Sequence, residues 1–145
     1  MNLKNLLLLV SLLISKITYA NTGKAIIPHW SGETSSQTFT SVYISNITDH
    51  IIDVSVKFYG DDGAAYSATH FDNFLNQNTQ IAPKSTARVI MKPANRISGF
   101  AIIQWSNISA DEDVNALMAH GIVVRANDGT KRTDISIPVN NGLPF

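Results

Sequence analysis

The chain has 145 residues, with 11 Lys and Arg against 11 Asp and Glu and no cysteine. Its basic residues are scattered, which argues against a partner read by charge, whether nucleic acid or an anionic membrane surface. Without cysteine there are no disulfides, no thiolate ligands or nucleophile, and no lipid attachment at a leader cleavage site.

Residues 1–20, MNLKNLLLLVSLLISKITYA, read as a secretory leader. Lys4 gives the positive start, Leu6 to Ile14 the apolar run, and Thr18 and Ala20 the small residues before a cut after Ala20. The run is shorter than the roughly 20 apolar residues a spanning helix needs. No later stretch is apolar enough to cross a membrane, so the product is expected to be periplasmic or extracellular. Loss of Lys4 and Lys16 leaves a 125-residue mature chain, 21–145, with net charge −2. That length suits one domain held by its hydrophobic core.

KAIIPHWSGE (24–33) opens the mature chain with a short apolar run. Pro28 cannot donate a ladder bond, so the segment reads as an edge strand from which the chain is released. Trp30 is then predicted to fold over the open end of the fold, with His29 exposed beside it. The alternative for the same residues is a ligand-binding corner. The polar run GETSSQT (32–38) reads as a mobile loop.

TFTSVYISNI (38–47) is rich in β-branched and aromatic residues and ends in a polar turn. IIDVSVKFY (51–59) alternates, with Ile52, Val54, Val56 and Phe58 on one face and Asp53, Ser55 and Lys57 on the other. The two are expected to pair as a hairpin. GDDG (60–63) is turn chemistry, followed by Tyr66. FDNFLNQN (71–78) and ADEDVNALM (110–118) are the two segments with any helical character.

IAPKSTARVIM (81–91) gives a proline turn and then alternation at Ala87, Val89 and Met91. GFAIIQWS (99–106) is apolar on both faces, as a central strand is, and Trp105 is expected to cap the core. ALMAHGIVVRA (116–126) and TKRTDISIPV (130–139) flank Asn127, Asp128 and Gly129, a hairpin signal, and Pro138 places the last strand at a sheet edge. Seven to eight strands at this spacing predict an all-β, two-sheet antiparallel sandwich of immunoglobulin-like type, with a closed barrel as the alternative.

The stretch VYISNITDHIIDVSVKFYGDDG (42–63), followed by IAPKSTARVI (81–90), resembles small immunoglobulin-like modules of secreted bacterial proteins. It is also similar to the small β-sandwich proteins related to the sensory rhodopsin transducer. The resemblance spans roughly residues 39–105 and rests on structural motifs. It implies a non-catalytic binding or assembly module and assigns no site residue.

The chemistry-bearing residues are sparse. His29, His50, His70 and His120 stand at no metal-ligand spacing, and no metal or cofactor is expected. Asp111, Asp113 and Asn115 open like a calcium loop, but Ala116 and Ile122 occupy the positions where such a loop needs glycine and glutamate. There is no Gly-x-Ser-x-Gly elbow, and adjacent Asp61 and Asp62 read as a turn, so no catalytic residue is expected. Asn46 and Asn107 stand in Asn-x-Ser/Thr sequons. Trp30, Trp105, Tyr43, Tyr59 and Tyr66 are the aromatics from which a carbohydrate platform would be drawn. In the tail, Asn140, Asn141, Gly142 and Pro144 break the alternation an outer-membrane barrel strand requires. Leu143 and Phe145 are therefore expected to tuck against the domain or meet a neighbouring subunit. The binding residues expected are His29, Trp30, Tyr66 and Phe145. The partner is another protein, a copy of the chain, or, in the carbohydrate-binding alternative, a surface polysaccharide.

Overall fold

The computed structural model describes residues 21–108, 111, 113–127 and 131–145. The leader and the centre of the Asn127–Gly129 turn lie outside the described residues. Ten strands are present among those described: β1 (Thr22–Gly32), β2 (Thr38–Asn46), β3 (Ile52–Gly60), β4 (Ala65–Tyr66), β5 (His70–Asp72), β6 (Gln80–Ile81), β7 (Thr86–Met91), β8 (Ile97–Asn107), β9 (Leu117–Asn127) and β10 (Lys131–Pro138). One sheet runs β1-β8-β3-β4, with β6 also on β3, and the other runs β10-β9-β2-β7-β5. All pairings are antiparallel. The fold is an all-β sandwich, as expected, with more strands than the seven to eight predicted.

The additional strands are short and fall between residues 65 and 81, where FDNFLNQN had suggested a helical turn. Asn73, Asn76, Gln77 and Asn78 have φ values of 58°, 44°, 56° and 69°. Left-handed residues in that number cannot continue a right-handed helix, and asparagine tolerates the conformation better than most residues. The segment instead makes β5, a turn and β6. The described part of ADEDVNALM is likewise non-helical until it enters β9.

The inner faces supply the core. Ala25, Ile27 and Trp30 of β1, Ala101, Ile103 and Trp105 of β8, and Ile52, Val54 and Phe58 of β3 face Val42 and Ile44 of β2, Ala87, Val89 and Met91 of β7, and Leu117, Ala119 and Val123 of β9. β8 lies between β1 and β3 as a central strand should.

β2 and β3 do not form a hairpin. They lie in different sheets, and the chain between them turns a corner across the sandwich. Buried Asn46 organises that corner. Its Nδ2 donates to the carbonyls of His50 (2.8 Å), Ile81 (3.1 Å) and Ala82 (3.1 Å), and its Oδ1 accepts from the Thr48 N–H (2.9 Å) and hydroxyl (2.8 Å). This sequon asparagine is thus a buried structural bracket. Asn107 is buried too, donating to the Asp111 carbonyl at 2.7 Å.

β1 also departs from expectation. Pro28 does not release the chain. Ile27 pairs with Ala101 and Trp30 with Gly99, so one extra residue is inserted at Pro28–His29 and pairing resumes through Gly32. This β-bulge switches the inward parity, so that Trp30 rather than His29 follows Ala25 and Ile27 into the core. The following polar run is a bonded turn rather than a free loop. Glu33 and Thr38 exchange backbone bonds of 2.8 and 3.0 Å, and Thr34 donates its N–H and hydroxyl to the Pro93 carbonyl, each at 2.9 Å.

Candidate functional site

Of the four residues expected to bind, two come together. The ring of Trp30 is fully buried, edge-on to Phe58 (5.7 Å, 87°) and to Tyr66 (6.0 Å, 61°). Its Nε1 donates to the carbonyls of Tyr59 (2.9 Å) and Phe100 (3.0 Å), near the end of β3 and the start of β8. It is therefore an internal fastener and not a lid. Tyr66, half-buried beside it, lines a cleft of about 450 Å³ with Val56, Ala68 and Phe71. Burial, with Asp62 adding to it, raises the phenol pKa of Tyr66. His29 is exposed at the bulge, beside Trp30 in sequence but turned the other way.

Phe145 lies toward the opposite end of β8 and is 7 % exposed. Its carbonyl accepts from Trp105 Nε1 at 2.7 Å and from the N–H groups of Ala116 and Leu117 at 3.1 Å, and its N–H donates to Leu117 at 2.9 Å. The tail is tucked in at Phe145, while Leu143 stays exposed. With Trp105 at 2 % exposure, both indoles are withdrawn from solvent and neither offers a stacking face. Tyr59 stacks on Phe100 (5.1 Å, 15°) and Tyr43 on His120 (5.0 Å, 11°), so these rings cover one another.

The outer face of the β10-β9-β2-β7-β5 sheet carries a row that is not visible in the sequence. Register places Asp72, Arg88, Tyr43, His120 and Pro138 side by side across all five strands. Arg88 Nε donates to Asp72 at 2.6 Å, and His70 approaches the other Asp72 oxygen at 2.6 Å. The hydrogen bond from Arg88 is the main cause that lowers the Asp72 pKa, and His70 acts in the same direction. The charges are matched within the row, and its aromatic pair is closed on itself.

His50 forms the second cluster. Its Nε2 bonds Asp113 and lies 3.9 Å from Asp111. The Asp113 hydrogen bond raises the His50 pKa. Among the described residues no group of three or more His, Asp or Glu is arranged to hold a metal ion. On the other sheet, a groove of about 640 Å³ is lined by Lys24, Asp53, Ser55, Gln104 and Ser106 among others. It is open, with Val54 and Trp105 among its polar lining residues, and Asp53 is already bonded to Gln80 at 2.9 Å.

The sheet edges offer further backbone groups. β1 and β10 are the long edge strands of the two sheets, whose opposite edges are the short β4, β6 and β5. Among the described residues no strand pairs with the far side of β1 or β10, although the Ser31 N–H and carbonyl of β1 are bonded to the Thr40 hydroxyl (3.0 and 2.8 Å). Arg132 to Ser136 of β10 are exposed without interruption. Sequence periodicity pointed to both as edges through Pro28 and Pro138.

Neither a family model nor a curated protein matches the chain. Among solved structures, the crystal structure of Thermotoga maritima 1070 is similar, with a TM-score of 0.50 at 12% identity, covering 81% of this chain and 92% of that one. At that identity the likeness concerns the fold alone.

Proposed function

We propose that the chain is an exported, non-catalytic binding and assembly module that joins copies of itself through its sheet edges. The observation carrying this reading is the two long edge strands, above all the exposed run Arg132–Ser136 of β10. An edge strand presents a row of backbone donors and acceptors ready to take a further strand. The clusters found elsewhere favour structure over catalysis: His50 with Asp113 and Arg88 with Asp72 are satisfied pairs on the surface. The sequence resemblance to small secreted sandwich modules points in the same direction.

Light scattering after size exclusion, on residues 21–145 over a range of concentrations, tests the reading. A mass above that of one chain supports it. A single-chain mass at every concentration overturns it.

A further inference from the structure

We propose that two copies pair through β10, antiparallel about a two-fold axis at Thr133, joining their five-stranded sheets into one continuous sheet. The inference rests on the assembly reading above and adds the edge and the register.

Hydrogen-bond parity identifies which groups β10 offers. Leu117 of β9 pairs with Asn46 of β2 on one side. On the other side it exchanges bonds with Phe145, so its backbone groups face the β10 side. Counting by twos along the strand, Gly121, Val123 and Arg125 face the same way, and their partners are Ile137, Ile135 and Thr133. The intervening residues Arg132, Asp134, Ser136 and Pro138 therefore turn their backbone groups to the open edge. Pro138, which has no N–H, stands where it removes no bond from the β9 ladder. The β1 edge is less suitable, because the bulge at Pro28–His29 interrupts its line of donors.

Side-chain charge then selects the register. Arg132 and Asp134 share the outer face and are bonded within the strand at 2.8 Å, with side chains 64% and 45% exposed. An axis at Asp134 would oppose two like charges. An axis at Ile135 would set Arg132 against Pro138, which lacks a donor. An axis at Thr133 sets each Arg132 against the Asp134 of the other copy, in a backbone-bonded pair with Cα atoms about 5.5 Å apart. Both copies then contribute N–H and C=O at each residue, and two opposite-charge pairs flank the axis.

The test is sedimentation equilibrium on residues 21–145 with two single variants, Arg132→Asp and Asp134→Arg, their folds checked by circular dichroism. Each variant alone replaces two attractive cross-strand pairs by repulsive ones. Dimer dissociation constants are expected to rise about tenfold or more. An equimolar mixture of the two variants is expected to recover a heterodimer, because every altered position then meets the opposite charge. A wild-type dimer indifferent to both substitutions, or a mixture no tighter than its components, overturns the β10 register and leaves the assembly reading standing. A wild-type protein that stays a single chain overturns both.

Discussion

Trp105 donates its indole N–H to the carbonyl of Phe145 at 2.7 Å, tying the central strand to a residue 40 positions along the chain. The same Phe145 carbonyl takes the N–H groups of Ala116 and Leu117. The aromatic tail, which in sequence reads equally as a core element or a contact for a neighbour, belongs to the core at Phe145.

Removing residues 143–145 is accordingly expected to destabilise the protein. It would strip acceptors from three N–H groups, those of Trp105, Ala116 and Leu117, and expose the pocket of the phenyl ring. An unsatisfied buried donor costs about 1–3 kcal/mol, so a loss of about 3 kcal/mol or more is expected by urea unfolding. Unchanged unfolding midpoints would contradict this placement of the tail.

Trp30 is predicted to act as a fastener between β3 and β8. Trp30→Phe keeps most of the ring but leaves the Tyr59 and Phe100 carbonyls without the indole donor. It is expected to cost about 1–3 kcal/mol in the same assay. Gly99→Ala probes the same spot from the backbone side, since a Cβ there would stand 1.9 Å from the Tyr59 carbonyl oxygen. That substitution is expected to abolish soluble folded protein or to lower stability by about 3 kcal/mol or more.

Asn46→Ala is expected to loosen the β2–β3 corner. Three carbonyls and the Thr48 N–H and hydroxyl each lose a bond together, leaving the Thr48 hydroxyl on the His50 carbonyl (3.0 Å) and Ser85 on the Ala82 carbonyl (3.0 Å) as side-chain bonds to these groups. A loss of at least about 2 kcal/mol is predicted, read by thermal or urea unfolding. A change within a few tenths of a kcal/mol would show that the corner is held by other contacts.

The two surface pairs carry opposite pH signatures. His50 has its pKa raised above 6.5 by the bond to Asp113. The stability it contributes is fully present below 6.5 and is lost as pH rises through the folded-state value. Asp72 has its pKa lowered below 3.8 by Arg88, so its contribution is present above 3.8 and lost as pH falls through the folded-state value. Asp113→Asn should therefore weaken the protein in mildly acid solution and have little effect in alkaline solution. An NMR titration of the His50 ring should give a midpoint above 6.5. A midpoint at or below 6.5 would contradict the pairing.

Most of the strands were legible because each bears its burial in alternate residues: Val54 and Phe58 against Ser55 and Lys57, or Ala87, Val89 and Met91. Register across strands left no such trace. Asp72, Arg88, Tyr43 and His120 are far apart in sequence and become neighbours only when five strands align. Pro28 marked an irregular edge strand, but whether the chain leaves the sheet or bulges and returns depends on Trp30 finding a place against Phe58 and on the two carbonyls that accept its N–H. The corner at Asn46 was likewise hidden. A five-residue link between two alternating strands has the length of a hairpin, and nothing in it announces that β2 and β3 join different sheets or that the Asn46 bonds to Ile81 and Ala82 hold the crossing. In FDNFLNQN (71–78) the spacing suggests a helical turn, and the asparagines carry no sign in the sequence of which conformation they take. Their ability to hold positive φ is what makes that segment two short strands and a turn.

The most direct test of edge-mediated assembly is amide hydrogen exchange on residues 21–145 at low and high protein concentration, resolved by strand. Outward-facing amides of β10 should slow as concentration rises, with β1 and the central strand β8 unchanged. If the amides of both edge strands exchange at the same rate at every concentration, the sheet edges are not where copies of this protein meet.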